Sequence, residues 1–202
     1  MTKSTTLNAS NTTASAEPDV DTLFDQALAA SLQRQSEVAV AILNTVLMRN
    51  PYHANARHLL GAEYAQAGKI NEAVIEIATA LELNPNLPLA RFQLGLLLMT
   101  CARVEDAVQV WNGLDILGSE HVLNRFRYSM LLIAKGEMDQ ARQQLAATIA
   151  ENIDLPALNS EMLVVIETIA ASTSRQRPEA NEDDPNSPHF LVSTYVQSPT
   201  IH

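Results

Sequence analysis

Five histidines, one cysteine and a scatter of carboxylates are the side chains here that could hold a metal or move a proton. The histidines are His53, His58, His121, His189 and His202, and the cysteine is Cys101. A zinc site needs paired imidazoles about one helical turn apart, or paired thiolates, so that ligands converge on one ion. His53 and His58 stand five apart with a turn expected between them, and Cys101 has no second thiol. Cys101 sits in an apolar helical context and reads as a small core residue. No phosphate-cradling loop, dinucleotide fingerprint or nucleophile elbow occurs. Gly61 and Gly95 read as packing glycines, and Glu161 and Glu167 as solvated helix residues. The sequence therefore predicts no catalytic residue, no metal ligand and no cofactor. What remains is the chemistry of surfaces.

Composition narrows those surfaces. Acidic residues outnumber Lys plus Arg by 23 to 13, a formal charge of -10, and no basic stripe interrupts the excess. Such a field repels phosphate backbones, so no nucleic-acid partner is expected. No run approaches the roughly 18 apolar residues of a bilayer span, so membrane insertion is not expected either. Residues 1–18 lack the apolar stretch of a signal peptide, which makes the cytoplasm the expected location. Apolar residues form 47% of the chain, aromatics only 4%. That balance favours helices packed through small side chains over a sandwich of strands.

The helices must come in repeats. Stepping by 34 from Ala39 meets Ala73, Ala107 and Ala141. The same step from Ala27 meets Gly61, Gly95 and Ser129, all small, and from Leu43 meets Ile77, Trp111 and Leu145, all large. Three columns in one register point to a repeated helical hairpin, small residues admitting a close approach and large ones filling the gap behind it. Gly68 and Gly136 supply turn residues within units. Glu37, Glu72, Asp106 and Asp139 open each second helix, where a carboxylate suits the positive end of the helix dipole. Asn50-Pro51 and Asn84-Pro85 stop it.

The second unit, with Leu60-Gly61, Tyr64, Ala73, Ile77, Ala80 and Pro85, resembles the tetratricopeptide repeat signature, except that Arg57 stands where that signature has an early Trp. The resemblance covers 20–155. It implies an all-α, right-handed superhelical solenoid of four units, 20–53, 54–87, 88–121 and 122–155. Ala30 in the first unit and the missing closing Pro in the third and fourth (Ser119 and Ile153) depart from the pattern. Segment 1–19 precedes the array as a disordered N-terminal stretch. Apolar Met162, Val165, Ile166, Ile169 and Ala170 predict a capping helix over 156–173. A flexible polar tail, 174–202, follows and carries an apolar island at 189–196.

The family uses the first helix of each unit to line a concave groove. Carried over, its inward columns are Phe24, His58, Phe92 and Phe126; Leu28, Ala62, Leu96 and Met130; and Ser31, Ala65, Met99 and Ile133. Either the stripe is core, covered by neighbouring helices, or it is an open channel for a partner's apolar segment. Arg127 is the one inward cation, so a clamp for a terminal carboxylate is not expected. The resemblance implies a protein-binding scaffold of a bacterial type, its groove formed by Phe24, Leu28, His58, Phe92, Leu96, Met99, Phe126, Arg127, Met130 and Ile133. Two alternatives stay open, a small acidic chaperone for a secreted or membrane-associated client and a non-catalytic regulatory subunit. Phe190, Leu191 and Tyr195 in the tail form a candidate docking motif for the chain's own groove or another protein.

Overall fold

The computed structural model describes residues 18–175. Nine α-helices occur among them: α1 (Val20–Leu32), α2 (Ser36–Arg49), α3 (Ala54–Gln66), α4 (Ile70–Leu83), α5 (Pro88–Thr100), α6 (Val104–Trp111), α7 (Val122–Ala134), α8 (Met138–Glu151) and α9 (Leu158–Arg175). A 3-10 turn, Asn112–Leu117, continues α6. The described residues contain no strand. Helices α1, α3, α5 and α7 each pack against the even helix that follows, and α3, α5 and α9 pack against the even helix before them. The hairpins stack side by side as a helical solenoid. Phe190, Leu191 and Tyr195, and the stretch 1–17, lie outside the described residues.

Local chemistry repeats with the register. Arg34, Gly68, Ala102 and Gly136, each 34 residues from the next, all have positive φ, at 59°, 73°, 58° and 80°. The turn inside every hairpin thus needs the left-handed conformation, and only two units supply the glycine that adopts it without a Cβ clash. Two histidines prove to be helix caps. His53 Nδ1 accepts a hydrogen bond from the Ala56 amide, and His121 Nδ1 accepts one from the Leu123 amide. Asp19 does the same for Thr22 at the head of α1. Each satisfies an amide that the first helical turn leaves without a partner. Cys101, at the end of α5, is exposed and not the core residue that its sequence context suggested. Its place beside the left-handed Ala102 turns it outward.

The small and large columns meet as partners. A Cβ built on Gly61 would stand 2.5 Å from Ile77 Cγ1, and one on Gly95 would stand 2.0 Å from Trp111 Nε1. The largest residue of its column faces a glycine because close-packed interiors leave no volume unspent. Trp111 Nε1 donates to the Phe92 carbonyl, so its ring is fixed as well as enclosed. One apolar cluster joins α1, α2 and α3 through Leu23, Ala27, Leu43, Val46, Ala56 and Leu60. A larger one runs from Ala73 and Ile77 to Met162, Val165 and Ile169 of α9, which closes the end of the stack. At the other end Thr22 and Gln26 stand one period before the buried Ala56 and Leu60, and both are exposed. A polar outer face is what a terminal repeat requires.

Candidate functional site

The inward columns divide into two layers. Phe92, Met99, Phe126, Met130 and Ile133 are all buried. Phe92 lies between Trp111 and Phe126, with ring centroids 6.1 Å and 5.0 Å away. These five residues belong to the core and offer no open surface, which corrects the expectation that they act as groove anchors. The cause is that α5 and α7 also touch each other, so large side chains in register fill the space between them. The second layer is partly open. Phe24, His58, Ala62, Ala65 and Leu96 are half-buried, and Leu28 is 39% exposed. Phe24 stacks at a tilt on His53, 4.9 Å between centroids. His58 Nε2 lies 2.7 Å from Gln93 Oε1, a bond from α3 to α5. Burial holds the His58 imidazole below its ordinary pKa of 6.5, and the Gln93 bond offsets part of that.

Ser31 turns away from the stripe. Its hydroxyl and that of Ser36 both donate to the Glu63 carboxylate, which is buried where α1, α2 and α3 meet. None of these three residues stands out in the sequence, because a glutamate between Ala62 and Tyr64 reads as surface.

Arg127 is not a free cation either. Its guanidinium donates to the Trp111 carbonyl at 2.7 Å and to Asp115 Oδ1 at 2.8 Å. This follows from how the third unit ends. Helix α6 has 8 residues, against 14 in α2, α4 and α8. The carbonyls freed where it stops find side-chain donors. Arg91 reaches Val110, Arg127 reaches Trp111, and the Asn124 amide reaches Leu114 and Gly118. Gly113 admits the Arg91 guanidinium, which would lie 2.6 Å from a Cβ there. Beside this joint opens a cleft of about 530 Å³, lined by Ser119, Glu120, Asn124, Arg125, Arg127, Tyr128, Gln144 and Glu151.

Among the described residues no group of three or more His, Cys, Asp or Glu could hold a metal ion. No helix among them is long and apolar enough to cross a membrane. No curated protein matches the sequence. A profile of the tetratricopeptide repeat matches residues 54–87, the unit formed by α3 and α4. Residues 54–87 thus carry a tetratricopeptide repeat, and the stack has the fold of tetratricopeptide repeat proteins. Solved structures of that fold are similar along most of it. The crystal structure of YrrB, described as a tetratricopeptide repeat protein with an unusual peptide-binding site, is 19% identical with a TM-score of 0.55. That match covers 79% of this chain and 80% of YrrB. A tetratricopeptide repeat protein from Parabacteroides merdae is 18% identical with a TM-score of 0.61, over 80% of this chain and 63% of that one.

Within this tetratricopeptide stack the early tryptophan of the signature is replaced three times by arginine, at Arg57, Arg91 and Arg125. Each guanidinium fastens a first helix to the segment around it. Arg57 donates to the Pro51 carbonyl and Glu76, Arg91 to the Pro85 and Val110 carbonyls, and Arg125 to Glu151. The planar fork of arginine suits two acceptors at once, which a tryptophan N–H does not. The three stand 34 apart and were visible in the sequence as a column.

Proposed function

We propose that this tetratricopeptide repeat protein is a non-catalytic scaffold that holds an apolar segment of a partner polypeptide along the face lined by α1, α3, α5 and α7. The fold itself supports a protein-protein interaction role. The observation that carries the finer reading is the open layer above the buried one. Leu28 at 39% exposure, with half-buried Phe24, His58 and Leu96, leaves apolar surface on first helices whose deeper residues are already packed. A peptide is the ligand class that the description of YrrB also names. Gln93 and His58 satisfy each other, so neither presents a bare polar group to an apolar segment. A fully buried Leu or Phe contributes about 1.5–3 kcal/mol. Few such anchors, less the cost of association, give an affinity of about micromolar or weaker for a short segment.

The test is capture of partners from the native cell with the wild type and with a Leu28→Glu, Leu96→Glu variant, followed by binding measurements on the captured species. Loss of the partner with helical content retained supports the reading. Undiminished binding by the folded variant rejects it.

A further inference from the structure

The cleft beside the short helix α6 carries features that neither the fold nor the open layer of first helices uses. Four of its lining residues are charged, Glu120, Arg125, Arg127 and Glu151, two of each sign. Arg125 is paired with Glu151, and Arg127 with Asp115. With both arginines paired and Glu120 not, an anionic ligand is disfavoured there. Glu120, whose carboxylate accepts only from the Ser119 hydroxyl, has no cation beside it among the described residues, and the other uncommitted groups are neutral. Asn124 is buried, its amide nitrogen serves two carbonyls, and its Oδ1 accepts no hydrogen bond. Among the described residues the Gln144 amide and the Tyr128 hydroxyl also have no partner. Tyr128 stands one and two periods after the buried Leu94 and Leu60, yet it is 51% exposed, because the shortened α6 no longer covers it. Two bare apolar side chains lie close in sequence to its lining residues. Ile116, three residues before Ser119, is 90% exposed, and Ile153, two residues after Glu151, is 86% exposed.

Neutral donors and acceptors, with bare isoleucines a few residues away along the chain, match a polypeptide main chain flanked by apolar side chains. The chain contains such a segment. Residues 188–199 hold no Asp, Glu, Lys or Arg, and they include Phe190, Leu191, Val192, Tyr195 and Val196. Reach permits the match. Helix α9 begins beside the cleft, after the loop that holds Ile153, and its 18 residues carry the chain about 27 Å away. Residues 176–187 can span up to about 40 Å, enough to return along its length. Because the segment is tethered, its effective concentration is about millimolar, and weak contacts suffice.

We propose that residues 188–199 dock in this cleft of their own chain, with main-chain groups on Asn124, Tyr128 and Gln144 and apolar side chains against Ile116 and Ile153. The site is distinct from the face assigned to the partner. The proposal is tested on the full chain by a nitroxide at Ser193→Cys in a Cys101→Ser background, read through the isoleucine methyl resonances and the Asn124 and Gln144 side-chain amides. The expected result is that Ile116, Ile153 and both amides lose most of their intensity while Ile75, exposed on α4, keeps it. Adding Phe190→Ser, Leu191→Ser and Tyr195→Ser should restore the lost signals. Dilution should leave the attenuation unchanged, whereas attenuation that falls on dilution overturns docking within one chain. Attenuation centred on residues beside Leu28 and Leu96, or spread evenly over the surface, overturns the assignment to the cleft. None of these outcomes bears on capture of a partner by the first-helix face.

Discussion

Phe92 and Phe126 occupy the same place in successive units and pack ring to ring at 5.0 Å, tilted by 45°. Tilted aromatic pairs add about 0.5–1.5 kcal/mol beyond their area. A double-mutant cycle with Phe92→Leu and Phe126→Leu, followed by denaturant unfolding, should show coupling of that size. Additive effects would mean that the two units do not share a core at this point.

The two non-glycine residues at the hairpin turn hold a conformation that costs an L-residue roughly 1–2 kcal/mol. Part of that returns as unfolded-state entropy when glycine is installed. Ala102→Gly should therefore stabilise by about 0.5–1 kcal/mol, seen as a higher denaturation midpoint with unchanged slope. Arg34→Gly should act in the same direction. A loss of stability in both would show that the turn is not left-handed in solution.

The small column predicts a ranking. Alanine at Gly95 would drive its Cβ into an indole ring that is also held by the Phe92 carbonyl. Alanine at Gly61 meets Ile77, whose side chain can rotate away. Overpacking of this kind costs about 1–3 kcal/mol, and Gly95→Ala should lie at or beyond the upper end, with Gly61→Ala clearly below it. Thermal unfolding of the two variants side by side decides the order, and the reverse order would contradict the packing described.

His58 gives a pH dependence. Its folded pKa lies below its ordinary value through burial, so the unfolded chain binds the proton more readily. Stability from this group is fully present above about pH 6.5 and falls as pH drops toward the folded pKa, below which it changes no further. His58→Gln should flatten that part of the curve, measured by urea unfolding between about pH 5 and 8. An unchanged curve would remove His58 from the account.

The register was legible because it is written in side-chain volume. Ala39 to Ala141, Ala27 to Ser129 and Leu43 to Leu145 each hold one size class at one spacing, and size is what helix contacts select. The inward stripe was less legible. Phe92 and Leu96 are equally apolar, four residues apart on one helix, and only the approach of α7 decides that the first is enclosed. At the early end of α6, Arg91 and Arg127 capture its last carbonyls and Asn124 captures those of the turn beyond, and these donors come from two other helices. Glu63 reads as a surface residue until Ser31 and Ser36 converge on it. The left-handed turns at Arg34 and Ala102 were hidden because their residue types favour no such turn, although their spacing from Gly68 and Gly136 was there to be read.

The division of the first helices into a packed layer and an open one is the claim on which the functional reading rests. Circular dichroism melts of Phe92→Glu and Leu28→Glu test it most directly. Burying an unpaired carboxylate should cost Phe92→Glu several kcal/mol, with loss of cooperative unfolding or a large fall in Tm. Leu28→Glu should keep the wild-type helical signal and melt within a few degrees of it. Two variants of equal stability, or a Leu28→Glu that unfolds while Phe92→Glu survives, would contradict the account.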